Sequence, residues 1–138
     1  MEITDILVGV DGSDNSLRAA EFAAEMASRF NVKVTLLLAY SPSDSAIFAG
    51  KDTYIPEDEA LQDRRMRRGK KVLEEKGITH DTRVELDHPA NAIIKAAEEG
   101  YSHVVVGCRG LSGFKGMLMG SVSTKVVHHC KLPVTVVP

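Results

Sequence analysis

Glycine residues are concentrated in one short stretch of the sequence, from residue 107 to residue 120. The chain has 11 glycines among 138 residues, and this stretch holds Gly107, Gly110, Gly113, Gly116 and Gly120. Glycine allows positive φ angles and lets a ligand approach the main chain closely. A helix is predicted to begin directly afterwards, and its first turn would present unpaired N–H groups and a positive dipole end. The stretch therefore predicts an anion-binding site, for which phosphate is the natural ligand.

Polar side chains in and beside this stretch would add to the site. Ser121 is predicted to be the N-cap of the last helix, so its hydroxyl would either cap Ser123 or Thr124 or bond a phosphate oxygen. Arg109 and Lys115 bring positive charge to the same loop. The alternative is a flexible glycine-rich loop that is followed by an ordinary capping serine.

A second candidate segment follows the first apolar run and reads Gly9-Val10-Asp11-Gly12-Ser13. In doubly wound sheets, ligands bind at the carboxyl edge, in the crevice where the strand order reverses. If the first and fourth strands are neighbours there, Asp11 and residues 107–121 line one cleft. A carboxylate repels phosphates, so Asp11 is predicted at the sugar or base end of a ligand. The alternative role for Asp11 is a turn or cap residue before the first helix.

The elements that would position these residues alternate along the chain. Five apolar, β-branched runs cover residues 4–10, 33–40, 82–86, 103–107 and 133–137, and helical patterns cover residues 16–30, about 56–76, 90–99 and 121–130. Near-continuous apolar runs are typical of parallel strands that are buried on both faces, and the charged third run is predicted to be less buried. The alternation predicts a single α/β domain over residues 1–138, a doubly wound parallel sheet with helices on both faces.

Apolar stripes and caps predict how the helices are placed. In the first helix the stripe is Leu17, Ala20, Ala24 and Ala27, with Asp14 and Ser16 as candidate caps. In the third helix the stripe is Ala90, Ile93, Ile94 and Ala97, and in the last it is Val122, Val126 and Val127. Residues 41–55 have no clean period and are predicted to form a mobile lid or a loop that faces a partner.

Composition excludes several classes of protein. Hydrophobic residues make up 43% of the chain and charged residues 26%, as in ordinary soluble domains, and the net charge of -2 argues against a nucleic-acid-coating protein. The sequence has no apolar run near the ~18 residues of a membrane helix and no visible secretory signal. Two cysteines, Cys108 and Cys130, cannot form a disulfide framework. We therefore expect a cytoplasmic protein that does not enter a membrane.

The spacing Gly107-x2-Gly110-x9-Gly120-Ser121 resembles the nucleotide-binding signature of the ATP-binding branch of the universal stress protein family. Other landmarks resemble the family in the same order: ILVGVDGS, LLLAY, VVVGCRG, GSVSTKVV and KLPVTVV. The resemblance spans essentially the whole chain. It implies a five-stranded parallel sheet of order 3-2-1-4-5 and a stress-related regulatory module that binds ATP, with Mg²⁺ or Mn²⁺ on the phosphates. It also implies a homodimer that forms through the last strand, from Pro133 to Val137.

The resemblance assigns roles to individual positions of this chain. Val10 and Asp11 would contact the adenosine end, and the backbone at Tyr40 would lie near the adenine, although a small aliphatic residue is usual at that position. The ribose and first phosphates would lie against Gly107, Arg109 and Gly110. The distal phosphates would lie against Gly120, Ser121, Val122 and Ser123.

Several other functions require motifs that the sequence lacks. The sequence has no GxxxxGKS or GxxxxGKT P-loop, no GxGxxG after its first strand and no GxSxG elbow. A slow ATP-hydrolysing enzyme stays open, but residues 107–123 offer no general base, so we expect little or no hydrolysis. A flavodoxin-like flavin carrier also stays open, although aromatic residues are only 5% of the chain. The basic run at residues 64–71 is interpreted as a solvated helix face rather than a nucleic-acid or acidic-partner patch.

Overall fold

Five parallel strands and the helices between them alternate along the chain in this computed structural model, which describes residues 1–41, 59–110 and 119–138. In chain order the elements are β1 (Ile6–Val10), α1 (Asp14–Phe30), β2 (Val34–Tyr40), α2 (Glu59–Glu75), β3 (His80–Leu86), α3 (Pro89–Ala96), β4 (His103–Gly107), α4 (Ser121–His129) and β5 (Val134–Val137). The strands form one sheet of order β3-β2-β1-β4-β5. The predicted fold class and the strand order are both confirmed.

The core lies in two layers because side chains alternate between the faces of the sheet. Ile6 and Val8 of β1 pack on the side of α1 and α2, whereas Leu7 packs on the side of α3 and α4. β1 is central: Val10 lies opposite Leu38 of β2, and Val8 lies opposite Val105 of β4. The strand order reverses between β1 and β4, so the switch point of the doubly wound sheet is there.

α1 packs closely on the sheet through small residues. Its buried side chains are Ser16, Ala19, Ala20, Ala23, Ala24 and Ala27. The predicted stripe is therefore confirmed at the three alanines, whereas Leu17 is half-buried. The predicted caps Asp14 and Ser16 are wrong: the N-cap is Ser13, whose extended backbone lets its hydroxyl accept a hydrogen bond from the N–H of Ser16.

The other helices differ from expectation at single positions. α3 ends at Ala96 instead of Glu99, and Val127 of α4 is 45% exposed although it was predicted to pack. Ser123 is buried instead, because its hydroxyl donates to main-chain carbonyls. α2 buries Met66 and Leu73 and exposes most of its basic run.

The two edge strands have different exposure. β3 is the more exposed, with Val84 42% and Leu86 51% accessible, which confirms the prediction for the charged third run. The residues of β5 are all half-buried. The predicted loop beyond residue 41, the start of the second helix at 56–58, and Gly113, Lys115 and Gly116 lie outside the described residues. Within the described ranges, we find no helix with the length and apolarity needed to cross a bilayer.

Candidate functional site

The predicted site residues come together at the carboxyl edge of the sheet. β1 ends at Val10 and β4 ends at Gly107, on neighbouring strands. α1 and α4 both begin at this edge, which brings two sets of first-turn N–H groups to the switch point. Tyr40 ends β2, two residues beyond the Leu38 that pairs with Val10, and is half-buried.

Asp11 and Gly110 lie next to each other across the switch point. Oδ2 of Asp11 is 2.7 Å from the position that a Cβ atom on Gly110 would take. Oδ1 of Asp11 accepts a hydrogen bond of 2.9 Å from the N–H of Ser13, an Asx turn that carries the chain from β1 into α1. The structure therefore brings the first-strand segment next to the loop after β4, at the carboxyl edge where the sequence predicted that they would meet.

The glycine at position 107 is required by packing between β4 and α1. A Cβ atom on Gly107 would lie 2.8 Å from the main-chain carbon and oxygen of Asn15 in the first turn of α1. Main-chain atoms cannot move aside as the end of a flexible side chain can. The first glycine of the signature thus lets a helix start lie directly against a strand end, with or without a ligand.

The start of α4 corrects the predicted cap. The N-cap is Gly120, in an extended conformation, and Ser121 is the first helical residue. The cap is therefore one residue earlier than the sequence predicted. The N–H of Gly120 donates to the carbonyl of Cys108 at 2.7 Å. The Ser121 side chain has no capping role and is exposed.

The hydroxyl of Ser123 points into the protein. It donates to the carbonyls of Cys108, at 2.8 Å, and Gly120, at 3.1 Å, and the residue is 2% exposed. Any contact of Ser123 with an anion therefore falls to its main-chain N–H. A helix leaves the first-turn N–H groups, here those of Ser121, Val122 and Ser123, without intrahelical acceptors.

The first turn of α4 faces the loop that follows β4. A Cβ atom on Gly120 would lie 3.4 Å from Cα of Arg109 and 3.9 Å from the N–H nitrogen of Gly110. Arg109 and Gly110 are both exposed. Main-chain amides at a helix start, an adjacent arginine and small residues between them can hold a phosphate group.

The main chain of Cys108 connects this turn to the edge of the sheet. Its N–H donates to the carbonyl of Val137 in β5 at 2.7 Å, while its carbonyl accepts from Gly120 and Ser123. The loop after β4 is thereby fixed by hydrogen bonds to both β5 and α4.

A depression lies at the other end of the sheet and is not a second site of the same kind. Its volume is about 580 Å³, and it is bordered by Thr35, Lys70, Glu74, His80, Asp81, Thr82, Arg83 and Tyr101. Successive residues of β3 point to opposite faces of the sheet, so His80 and Thr82 lie on one face and Asp81 and Arg83 on the other. The depression therefore extends around this edge strand and is not a single enclosed cavity.

Two of the charged side chains that border the depression, Arg83 and Asp81, are paired with neighbouring side chains. Hydrogen bonds to Tyr101, Glu85 and Glu99 raise the pKa of Arg83. Asp81 accepts a hydrogen bond of 2.8 Å from Lys33, which raises the pKa of that lysine. These pairs connect β3 to its neighbours. Among the described residues, we find no cluster of three or more His, Cys, Asp or Glu side chains that would hold a metal ion.

Sequence reasoning did not identify Ser13 as the cap of α1, the role of Ser16 in the turn or the packing of Asn15. Ser13 and Ser16 close the turn that contains Asp11, and Asn15 explains the glycine at 107. The Asp-Gly-Ser triplet followed three residues later by a second serine was a usable signal, because such spacing is typical of an Asx turn that leads into a capped helix.

Comparison with known proteins gives a consistent result. Residues 2–138 match the model of the Universal stress protein family. Universal stress protein YxiE of Bacillus subtilis is 33% identical in an alignment that is 145 residues long and covers 96% of this chain and 97% of that protein. Universal stress protein Rv2623 of Mycobacterium tuberculosis is 35% identical over 133 residues, 95% of this chain but 44% of that protein's length. A solved universal stress protein in complex with cAMP is similar with a TM-score of 0.73 and 29% identity, covering 99% of this chain and 98% of that one.

Proposed function

Because the chain belongs to the universal stress protein family, we propose that it is a cytoplasmic, stress-related regulatory protein that binds ATP and acts as a homodimer. The observation that carries the proposal is the placement of the first turn of α4 against Arg109 and Gly110, beside Asp11. It brings main-chain amides, positive charge and a carboxylate together at the switch point of the sheet.

The residues at this edge of the sheet would give each part of the nucleotide a suitable partner. Main-chain amides of Gly120, Ser121, Val122 and Ser123, with the Ser121 hydroxyl, would hold the distal phosphates. Arg109 and Gly110, after Gly107, would follow the first phosphates and the ribose. Val10 and Asp11 would contact the adenosine, and Tyr40 would lie near the base. The similarity to a protein that was solved with cAMP supports an adenine nucleotide as the ligand.

A divalent cation fits this site only together with the nucleotide. The described residues contain no ready-made metal cluster. If Mg²⁺ or Mn²⁺ accompanies ATP, its ligands come chiefly from phosphate oxygens and water, where it would neutralise phosphate charge.

Little or no hydrolysis is expected from the side chains around the phosphate end. Residues 107–110 and 120–124 include cysteine, arginine, serine, valine and threonine but no carboxylate or histidine that could activate water. Asp11 is assigned to the sugar, and one of its oxygens is engaged by Ser13. Arg109 could stabilise charge on a phosphate, but positioning without an activated water gives slow turnover.

The homodimer is supported by the geometry of β5. The carbonyls of Pro133 and Val137 accept hydrogen bonds from β4, so the main-chain groups of Val134 and Val136 face away from the sheet. An apolar edge of this kind is a natural place for a second strand to pair. Phe22 lies one helical turn from Arg18, which bonds the carbonyl of Pro138, and is 43% exposed. It would extend an apolar contact beside the paired strands.

Isothermal titration calorimetry with ATP tests the proposal directly, together with identification of any nucleotide that denaturation releases. We expect the protein to bind ATP and Gly120→Val to abolish binding, because the larger side chain would fill the space toward Arg109 and Gly110. The matched control is Gly77→Asn at the far edge of the sheet, where nothing lies within 4 Å of an added Cβ and asparagine tolerates the φ of 66°. A folded Gly120→Val protein with unchanged ATP affinity would refute the site.

A further inference from the structure

Ser16 is a buried hydroxyl within the otherwise alanine-lined face of α1. It is 6% exposed, and a buried hydroxyl needs hydrogen-bond partners. Its Oγ donates to the carbonyl of Ser13 at 3.0 Å and accepts from the N–H of Asp11 at 3.3 Å. Its own N–H donates to Oγ of Ser13 at 3.1 Å. One side chain therefore joins both ends of the turn that leads from β1 into α1.

This turn sets the direction of the Asp11 carboxylate. Oδ1 of Asp11 accepts from the N–H of Ser13, while Oδ2 lies next to Gly110, in the loop after β4. Ser16 holds the main chain on both sides of this contact, at Asp11 and at Ser13. Loss of the Ser16 hydroxyl would leave the N–H of Asp11 without that acceptor and let the turn relax.

We propose that Ser16 is a positioning residue, which fixes the Asp11 carboxylate so that it accepts a hydrogen bond from the ribose 2′-hydroxyl. The inference rests on the proposed function, since it concerns the sugar end of the same nucleotide site. A carboxylate only accepts hydrogen bonds, and a neutral hydroxyl that donates to it gains a charge-assisted bond. Such a bond depends on the carboxylate being held in place, which is what the Ser16 bonds supply.

The alternative is that Ser16 only stabilises the start of α1. In that case Ser16→Ala would lower the free energy of unfolding and weaken the binding of all nucleotides alike. A positioning role predicts something different, because only a nucleotide with a 2′-hydroxyl uses the carboxylate in this way. The ratio of the affinities for ATP and 2′-deoxy-ATP separates the two.

The experiment measures both affinities by calorimetry for wild type, Ser16→Ala and Asp11→Asn. We expect wild type to favour ATP about tenfold, the effect of one hydrogen bond to a charged group. Ser16→Ala should lower ATP affinity with little change for 2′-deoxy-ATP, and so move the ratio toward that of Asp11→Asn. Adding Ser16→Ala to Asp11→Asn should leave the ratio unchanged.

Ser13→Ala is the matched control. It removes the capping hydroxyl of α1 but keeps the main-chain groups of Ser13 that Ser16 and Asp11 use. It should unfold more easily than wild type and keep the wild-type ratio. If Ser16→Ala fails to fold, Ser16→Cys has a similar shape with a weaker hydrogen-bonding group and should shift the ratio in the same direction.

The outcomes are distinguishable. Wild-type protein that binds no nucleotide contradicts the proposed function itself. Wild-type protein that binds both nucleotides equally, or a Ser16 variant that weakens both by the same factor, overturns the positioning role and leaves the proposed function standing.

Discussion

The carboxylate of Asp11 and the main chain of Gly110 are adjacent across the switch point. Oδ2 of Asp11 is 2.7 Å from the position of a Cβ on residue 110, closer than real Cβ atoms come to other heavy atoms. An added methyl group and the carboxylate cannot both keep their places. Glycine at 110 therefore leaves room for Asp11 to lie where its turn directs it.

Gly110→Ala should displace the Asp11 carboxylate and weaken ATP binding about tenfold. The carboxylate is the end of a flexible side chain, so the cost in the free energy of unfolding should be small, about 1 kcal/mol. Calorimetry and urea denaturation measure the two effects. In an Asp11→Ala background the clash is absent, so Gly110→Ala should cost less there; equal costs in both backgrounds would contradict the contact.

Gly107→Ala should be a folding defect. Its Cβ would meet main-chain atoms of Asn15 at 2.8 Å, and separating a helix from the sheet costs about 1–3 kcal/mol. Urea denaturation measures the loss. Gly120→Ala is the comparison, because its Cβ finds ordinary contacts at 3.4 Å, and its free energy of unfolding should change by less than about 1 kcal/mol. The prediction fails if the two variants are equally stable.

Ser121→Ala should show whether the Ser121 hydroxyl caps α4 or contacts the ligand. Ser121 follows the N-cap and makes no capping bond, so the free energy of unfolding should change by less than about 0.5 kcal/mol. If its hydroxyl bonds a phosphate, ATP affinity should fall about tenfold. Ser28→Ala, at an exposed position near the other end of α1, controls for loss of a surface hydroxyl. A stability loss without an affinity loss would assign Ser121 to the helix alone.

Val136→Pro should dissociate the homodimer without disturbing the sheet. The N–H of Val136 faces away from β4, so proline removes a donor only from the outer edge of β5. Sedimentation velocity should show a monomer that unfolds like wild type. Thr135→Pro, which removes a donor on the β4 side, should instead lower the free energy of unfolding. A Val136→Pro protein that still sediments as a dimer would exclude this edge as the interface.

Acid should destabilise the protein through carboxylates that are paired with basic side chains. A hydrogen bond from Lys95, then one from the N–H of His88, lowers the pKa of Asp87 below its ordinary 3.8. Bonds from Arg29 and Lys76 lower the pKa of Glu25 below 4.5. A lowered folded-state pKa stabilises the protein above the unfolded-state pKa, and this contribution is lost as the pH falls through the folded-state pKa.

Urea denaturation at a series of pH values from about 5 to 3 measures that loss. Asp87→Asn cannot titrate at this position, so the slope of its free energy of unfolding against pH should be shallower than that of wild type. An identical slope would show that the Lys95 contact has no influence on folding.

The sheet was predictable because its signal is repeated along the chain. Runs such as residues 33–40 and 103–107 are apolar on both faces, and only a sheet covered on both sides buries them. The meeting of Asp11 with the loop after β4 followed from the rule that doubly wound sheets bind at the carboxyl edge. Both inferences rest on patterns that extend over many residues, so the residue type at a few positions does not change them.

Local choices within a turn were less predictable. Residues 13–16 read Ser-Asp-Asn-Ser, and all four are residue types that cap helices; the extended backbone at Ser13 decides between them. In α4, Val127 was predicted to pack inward, whereas the structure buries Ser123, because the carbonyls of Cys108 and Gly120 accept its hydroxyl. Such bonds depend on chain segments that are distant in sequence, so residue types alone did not reveal them.

The contact of Gly107 with Asn15 also bears on how a glycine signature is used to recognise binders. A chain of this architecture that had lost its nucleotide would still need an empty Cβ position at the end of its fourth strand, because the helix start fills that space. The first glycine of the pattern, Gly107, thus marks the fold. The other two, Gly110 and Gly120, are the better markers of whether a chain with this fold still binds a ligand.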